Sequence, residues 1–189
     1  MDITSALKNE IFDPLVTLVV PGVVATASYL AVLFYYFPAS AVAWEHHTAE
    51  SYTAYLVCVL AVGLLLEDVG SRIEVCWDSR RTNKDAEYAN RWTSYQKLRT
   101  RKNGVAERII HGVATRMRFE LSMAPAVVLL GVGVAWCQSL FHIWSRCSFS
   151  VALTLTALLA AYLLWESYDS SGVLDQSRRL LIEQNAISK

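Results

Sequence analysis

Polar positions are spread so unevenly along the chain that four almost wholly apolar segments stand out: Leu15 to Phe37, Tyr52 to Leu66, Leu121 to Leu140 and Phe149 to Trp165. None carries a charge. A bilayer core takes on the order of 20 predominantly apolar helical residues to cross, so each segment is read as a transmembrane helix. The second and fourth are short for this, so they either tilt little or continue as helix beyond the hydrocarbon. Asp13-Pro14 supplies an N-cap and a proline at the first helical position, which predicts the start of the first membrane helix. Within it, Pro21-Gly22 predicts a kink, a close approach by a neighbouring helix, or a moving joint. In the third segment Gly131 and Gly133, with Ala124 and Ala126 around Pro125, predict tight helix contacts.

Between the second and third segments the pattern changes. Tyr88, Trp92 and Tyr95 recur at i, i+4 and i+7, the spacing of one helix face, and Asn103-Gly104 is a suitable end for that helix. Val105, Ile109, Val113, Met117 and Leu121 then step by four without a breaker, which predicts one helix continuing from the cytosol into the membrane. The expected fold class is therefore an all-α membrane protein, with four transmembrane helices and a cytosolic helical hairpin between the second and third. The divisions are 1–70 (lead-in and first helix pair), 71–119 (basic region), 120–167 (second helix pair) and 168–189 (C-terminal tail). Gly70 is read as a joint. Leu174, Leu180, Leu181 and Ile182, with Arg178-Arg179, form a weakly amphipathic tail expected to dock on the hairpin. Some fifty residues so rich in charge would bury too small a core alone, and self-association around an axis would supply the missing surface.

Composition agrees with a bilayer, since 54% hydrophobic content is too high for an ordinary soluble domain. The formal net charge of zero conceals an asymmetry. Residues 71–119 hold twelve of the 17 Lys and Arg against five carboxylates, an excess of seven positive charges. The connection Pro38 to Ser51 has no Lys or Arg, and the one near Ser145 has only Arg146. Basic short loops stay cytosolic, so both termini and the basic region are expected on the cytosolic side of an inner membrane. Met1 to Asp13 lacks a signal-peptide pattern, so the first helix is expected to be retained. Four cysteines are too few for a disulfide scaffold; Cys137 and Cys147 would both lie near the outer face, where a bridge needs close backbones. Glu45, His46, His47, Glu50 and His142 gather on that side without the ligand spacing of a structural zinc site. An interfacial polar loop is the expectation there, with no metal and no cofactor.

Catalytic signatures are missing: there is no phosphate-binding glycine loop, nucleophile elbow, HExxH or CxxC. An ionisable group at mid-depth, needed by proton-coupled pumps, is also missing. The protein is not expected to be an enzyme; the one catalytic form open to it is a carboxylate-assisted lipid hydrolase at the level of Glu67, Asp68, Glu120 and Glu166. Charge begins abruptly at the cytosolic ends of the helices. Glu67, Asp68, Arg72, Arg116, Arg118, Glu120 and Glu166 are read as an ion-pair collar where the bundle meets its cytosolic part, or as a ring of carboxylates along a cation path in an oligomer. Arg80, Arg81, Lys84, Arg91, Arg99, Arg101, Lys102 and Arg108 are interleaved with Trp92 and Tyr95, a mixture that neutralises phosphates and offers ring faces to bases. Topology alone asks for basic residues here, and anionic headgroups would be attracted as well.

A small multi-pass bundle with a compact basic cytosolic part resembles the membrane effectors of bacterial antiphage systems, and among them channel effectors of the Hailong type, opened or closed by short single-stranded DNA. Pro21-Gly22, Leu66-Glu67-Asp68 and Arg116 to Glu120 are its local support. The expectation is a cyclic homo-oligomer, with a tetramer as the working number, forming a channel gated by a nucleotide or oligonucleotide and poorly selective because no charge lies mid-membrane to form a filter; the resemblance adds a role in bacterial antiviral defence. The alternative is a non-conducting anchor that recruits a cytosolic partner or anionic lipid. The site residues above are read from this chain and not carried over from that family.

Overall fold

Lipid offers no partner for backbone N–H and C=O groups, so an apolar run can cross it as a helix that satisfies them internally. In the computed structural model of the protein, the described elements are five helices: α1 (Ile3–Tyr36), α2 (Pro38–His46), α3 (Thr48–Lys84), α4 (Gly104–Phe141) and α5 (Arg146–Ile187). Residues 3–187 are described except 86, 88, 89, 91–93 and 95–103; the side chains of 3–14, 84, 104–110, 178, 181 and 183–187 also lie outside the description. Helices α1, α3, α4 and α5 are long and apolar enough to cross a membrane, the architecture of a multi-pass membrane protein. The hairpin expected around Tyr88, Trp92 and Tyr95 lies outside the described residues.

With 37, 38 and 42 residues, α3, α4 and α5 reach roughly 55–63 Å at about 1.5 Å per residue. That is about twice the ~30 Å hydrocarbon core. The second and fourth segments thus extend as helix well past their apolar stretches. α4 runs unbroken from Gly104 to Phe141 with Pro125 inside it, as the four-residue step from Val105 predicts. The boundaries 70/71, 119/120 and 167/168 fall within α3, α4 and α5 respectively.

Three local expectations are corrected. α1 passes through Asp13-Pro14 and begins by Ile3; a proline removes one donor, which a helix continuing on both sides absorbs as one missing bond. α3 passes through Gly70 without a joint, because Gly70 is filled by a neighbour: a Cβ there would come 3.2 Å from the Leu121 Cβ. The C-terminal segment is no separate docked tail, since Leu174 and Leu180 continue the helix that starts at Arg146.

The chain runs up and down the bundle. α1 lies antiparallel to α3, with Gly22 against the Val59 carbonyl and Gly63 against the Leu18 carbonyl; a Cβ at either glycine would overlap those oxygens. The close helix approach expected at Pro21-Gly22 is thus present. α4 lies parallel to α1: Ser122 Oγ donates to the Thr17 carbonyl at 3.3 Å, the Tyr29 hydroxyl to the Leu129 carbonyl at 3.0 Å, and Cys137 Sγ to the Ser28 carbonyl at 3.3 Å. α5 lies antiparallel to α4, with Thr156 against Gly131. α4 is the central helix and packs on the other three spans. One apolar cluster sits between spans (Ala25, Leu66, Ala126), and another lies toward the basic end (Met117, Leu121, Leu174, with Ile73, Trp77 and Val113).

At the opposite end, the expected polar loop is mostly helical. Proline at the first position starts α2 after Phe37, and Trp44 meets Phe34, Tyr52 and Tyr55 edge-on at 5.7, 5.2 and 6.1 Å. The α4–α5 turn is stitched by Gln138, whose side-chain amide donates to the Trp144 carbonyl at 2.8 Å and accepts from the Trp144 N–H at 2.9 Å. Ser145 caps α5 by accepting the Ser148 N–H at 3.3 Å. All four thiols are free.

Candidate functional site

Depth is set by register. Ser122 meets Thr17, two residues past the Leu15 start of the apolar run of α1, so Glu120 lies level with the beginning of that run. Its residue is 5% exposed. A carboxylate buried to that degree needs both oxygens satisfied, and they are. Arg116 Nε donates to Oε1 at 2.7 Å from one turn earlier on α4, and the Ser170 hydroxyl on α5 donates to Oε2 at 3.1 Å. A second Arg116 nitrogen is paired with Glu166 of α5. One guanidinium thus joins two carboxylates on two helices, and its fork geometry suits it to that task.

Of the predicted collar, the structure brings together Arg116, Glu120 and Glu166. Asp68 and Arg72 form a separate exposed pair along α3, with both Arg72 Nε and Nη2 at 3.0 Å from Asp68 Oδ2. Glu67 is half-buried and Arg118 exposed, and neither makes an ion pair among the described residues.

Beyond this junction α5 turns a small polar face inward. Ser167, Ser170, Ser171, Leu174 and Asp175 are all buried. Their spacing of three, one, three and one places them on one helical face. The sequence reading missed this face because serines in a C-terminal segment look like surface; the signal was the i, i+3, i+4, i+7 recurrence. Small side chains let α5 approach the Met117–Leu121 cluster closely.

The basic residues divide. Arg81 Nη2 donates to the Tyr168 carbonyl at 2.9 Å, and its guanidinium carbon lies 4.7 Å from the Tyr168 ring centroid. Trp77 meets the same ring edge-on at 5.5 Å. Arg81 Nε is buried with no hydrogen-bond partner among the described residues. Arg80 is exposed. Arg91, Trp92, Tyr95, Arg99, Arg101 and Lys102, and the side chains of Lys84 and Arg108, lie outside the described residues. At the limit of the description, Arg179 of α5 bridges Asp85 at 3.2 Å and Asp175 at 3.1 Å.

Around the predicted polar loop, His47 Nδ1 lies 3.0 Å from Glu50, both exposed, and no cluster of three metal-ligating side chains occurs among the described residues. Chemically the arrangement is a set of side-chain ties between helices near the ends of the apolar runs, linking residues of the basic region to α4 and α5. Comparison of the chain with protein-family models, with curated proteins and with solved structures finds no match in any of the three.

Proposed function

We propose that the chain is the subunit of an oligomeric membrane effector, a poorly selective channel gated by a nucleotide or oligonucleotide at its basic region and acting in bacterial antiviral defence. In this reading residues 71–119 form a cytosolic helical part with a hairpin, both termini are cytosolic, and a cyclic assembly, with a tetramer as the working number, surrounds the path through an inner membrane. The observation that carries it is continuity. Both chain ends of the basic region are rigid extensions of spanning helices, α3 running to Lys84 and α4 starting at Gly104. A phosphate-bearing ligand drawing on Arg80, Arg91, Arg99, Arg101, Lys102 or Arg108 would therefore load two spans at once, because a rigid helix moves as a unit. The spans carry no ionisable group at mid-depth, so the closed path is an apolar constriction that excludes water, with little ion discrimination when open.

The test is planar-bilayer current from purified protein of known assembly size, with and without short single-stranded oligonucleotides. Stepwise current that the oligonucleotide modulates is the expected result. A silent bilayer from a folded oligomer under every ligand tried sinks the channel reading. It would leave the second reading, a membrane anchor whose basic region recruits a partner or anionic lipid. Exposure of Arg80 and Arg118, neither ion-paired among the described residues, favours that alternative. Changing Arg99, Arg101 and Lys102 together to Ala separates the two: ligand-dependent current changes in a channel, and only recruitment is lost in an anchor.

A further inference from the structure

Helix α5 is held in two unlike ways along its length. In its most apolar stretch of 18 residues 6% are buried, against 28%, 22% and 28% for the first three spans. Between residues 146 and 166 Ala160 is the single buried position, and Val151, Leu155, Leu158 and Trp165 are 54%, 62%, 61% and 65% exposed. From Ser167 onward the situation reverses, with five of the next nine residues buried.

Solvent makes this contrast matter. Lipid tails are as apolar as the helix, so no hydrophobic force presses α5 onto α4 inside the membrane, and association there depends on close contact. Inside the apolar stretch that contact is one narrow stripe, with Ala160 buried, Thr156 on Gly131, and Phe149, Ala152, Leu153 and Leu163 half-buried. Past the boundary, water makes burial of Leu174 with Met117, Leu121 and Trp77 favourable. Polar ties add to it: Glu166 to Arg116, Ser170 to Glu120, the Tyr168 carbonyl and ring to Arg81, and Arg179 to Asp85. The last two hold α5 to the end of α3, at Arg81 and at Asp85 just past Lys84, beyond the apolar runs.

We infer that α5 is a latched helix: its docking outside the membrane holds its span against α4, and opening the Arg81–Tyr168 and Arg179–Asp85 ties lets the span move away from the other three. The latch sits within the basic region, at the end of α3, so whatever displaces Arg81 or Asp85 acts on the fourth span. This device stands whether or not the protein conducts.

Distances between spin labels test it. In a background with the four native cysteines replaced, labels at Val151→Cys on α5 and Tyr52→Cys on α3 report the loop end, and a Leu33→Cys/Tyr52→Cys pair reports α1 against α3. All three positions are exposed. In nanodiscs the parent protein is expected to give one narrow distribution for each pair. Combining Arg81→Ala with Arg179→Ala is expected to add a longer, broad component to the α5–α3 pair amounting to half the spins or more, with the α1–α3 pair unchanged. Tyr168→Ala alone, a milder change on the same contact, is expected to produce the same component at lower population. An unchanged α5–α3 distribution in both variants overturns the latch. Equal broadening of the two pairs also overturns it, since that is general loosening of the bundle.

Discussion

At the scale of single residues, Glu120 is where the molecule spends most on polarity. Truncating Glu120 leaves Arg116 exposed and still paired with Glu166, so the loss is that of two hydrogen bonds and of the acceptor for the buried Ser170 hydroxyl. Glu120→Ala is expected to destabilise the protein by about 2 kcal/mol, and Ser170→Ala by about 1 kcal/mol as one carboxylate oxygen loses its donor. Equilibrium unfolding in mixed micelles measures both, and a double-mutant cycle should show them coupled; strictly additive losses would mean that the hydroxyl and the carboxylate do not interact. Arg116, Glu120 and Glu166 were legible in the sequence as a group at one depth, since charge resumes abruptly after each apolar run. Ser170 was not legible as their partner, because nothing in one sequence aligns α5 with α4 to within a turn. Arg81 shows the same limit: its composition marks it for a phosphate, and its place in the fold sets it against Tyr168.

At the scale of elements, glycines divide by what faces them. Gly63 meets the Leu18 carbonyl, whereas Gly112 on α4 has no atom of the described residues within 4 Å of an added Cβ. Gly63→Val should force α1 off α3 and cost about 2 kcal/mol or more, as overpacking does where backbones touch. Gly112→Ala should instead stabilise α4 by about 0.5–1 kcal/mol, the ordinary helix-interior difference. Thermal unfolding of the two variants beside the parent checks both signs, and a destabilised Gly112→Ala would show that another surface packs there. A third expectation concerns Ser145: its replacement by Ala removes the cap from α5 and should cost about 1 kcal/mol. Helix existence and continuity were readable from the apolar runs and from the four-residue step through Val105 to Leu121. Helix ends were less so, because Asp13-Pro14 and Gly70 carry stop or start signals that surrounding turns and packing override.

At the scale of the whole molecule, the basic end and the aromatic loop end must face opposite compartments if α1, α3, α4 and α5 all span. Cys76 and Cys147 are exposed at these two ends. A membrane-impermeant maleimide applied to intact spheroplasts is expected to modify Cys147 and spare Cys76, with both reacting after permeabilisation. The reverse pattern would invert the orientation. Reaction of both in intact spheroplasts would contradict four crossings.

What the sequence determined by itself is the class of structure: four helices long and apolar enough to span, the chain reversal between them, and a basic segment joined to two of them. Those properties follow from hydropathy and charge, which a bilayer reads directly. Tertiary structure alone decided which faces meet: Gly22 and Gly63 as the seam of α1 and α3, α4 as the central helix, and α5 docked by its serine face past its apolar run and by one narrow stripe within it. The reason is that lipid and protein interior are equally apolar. A spanning helix needs no polar face to mark its exposed side, so the periodicity that reveals packing in water is erased where it would be most useful.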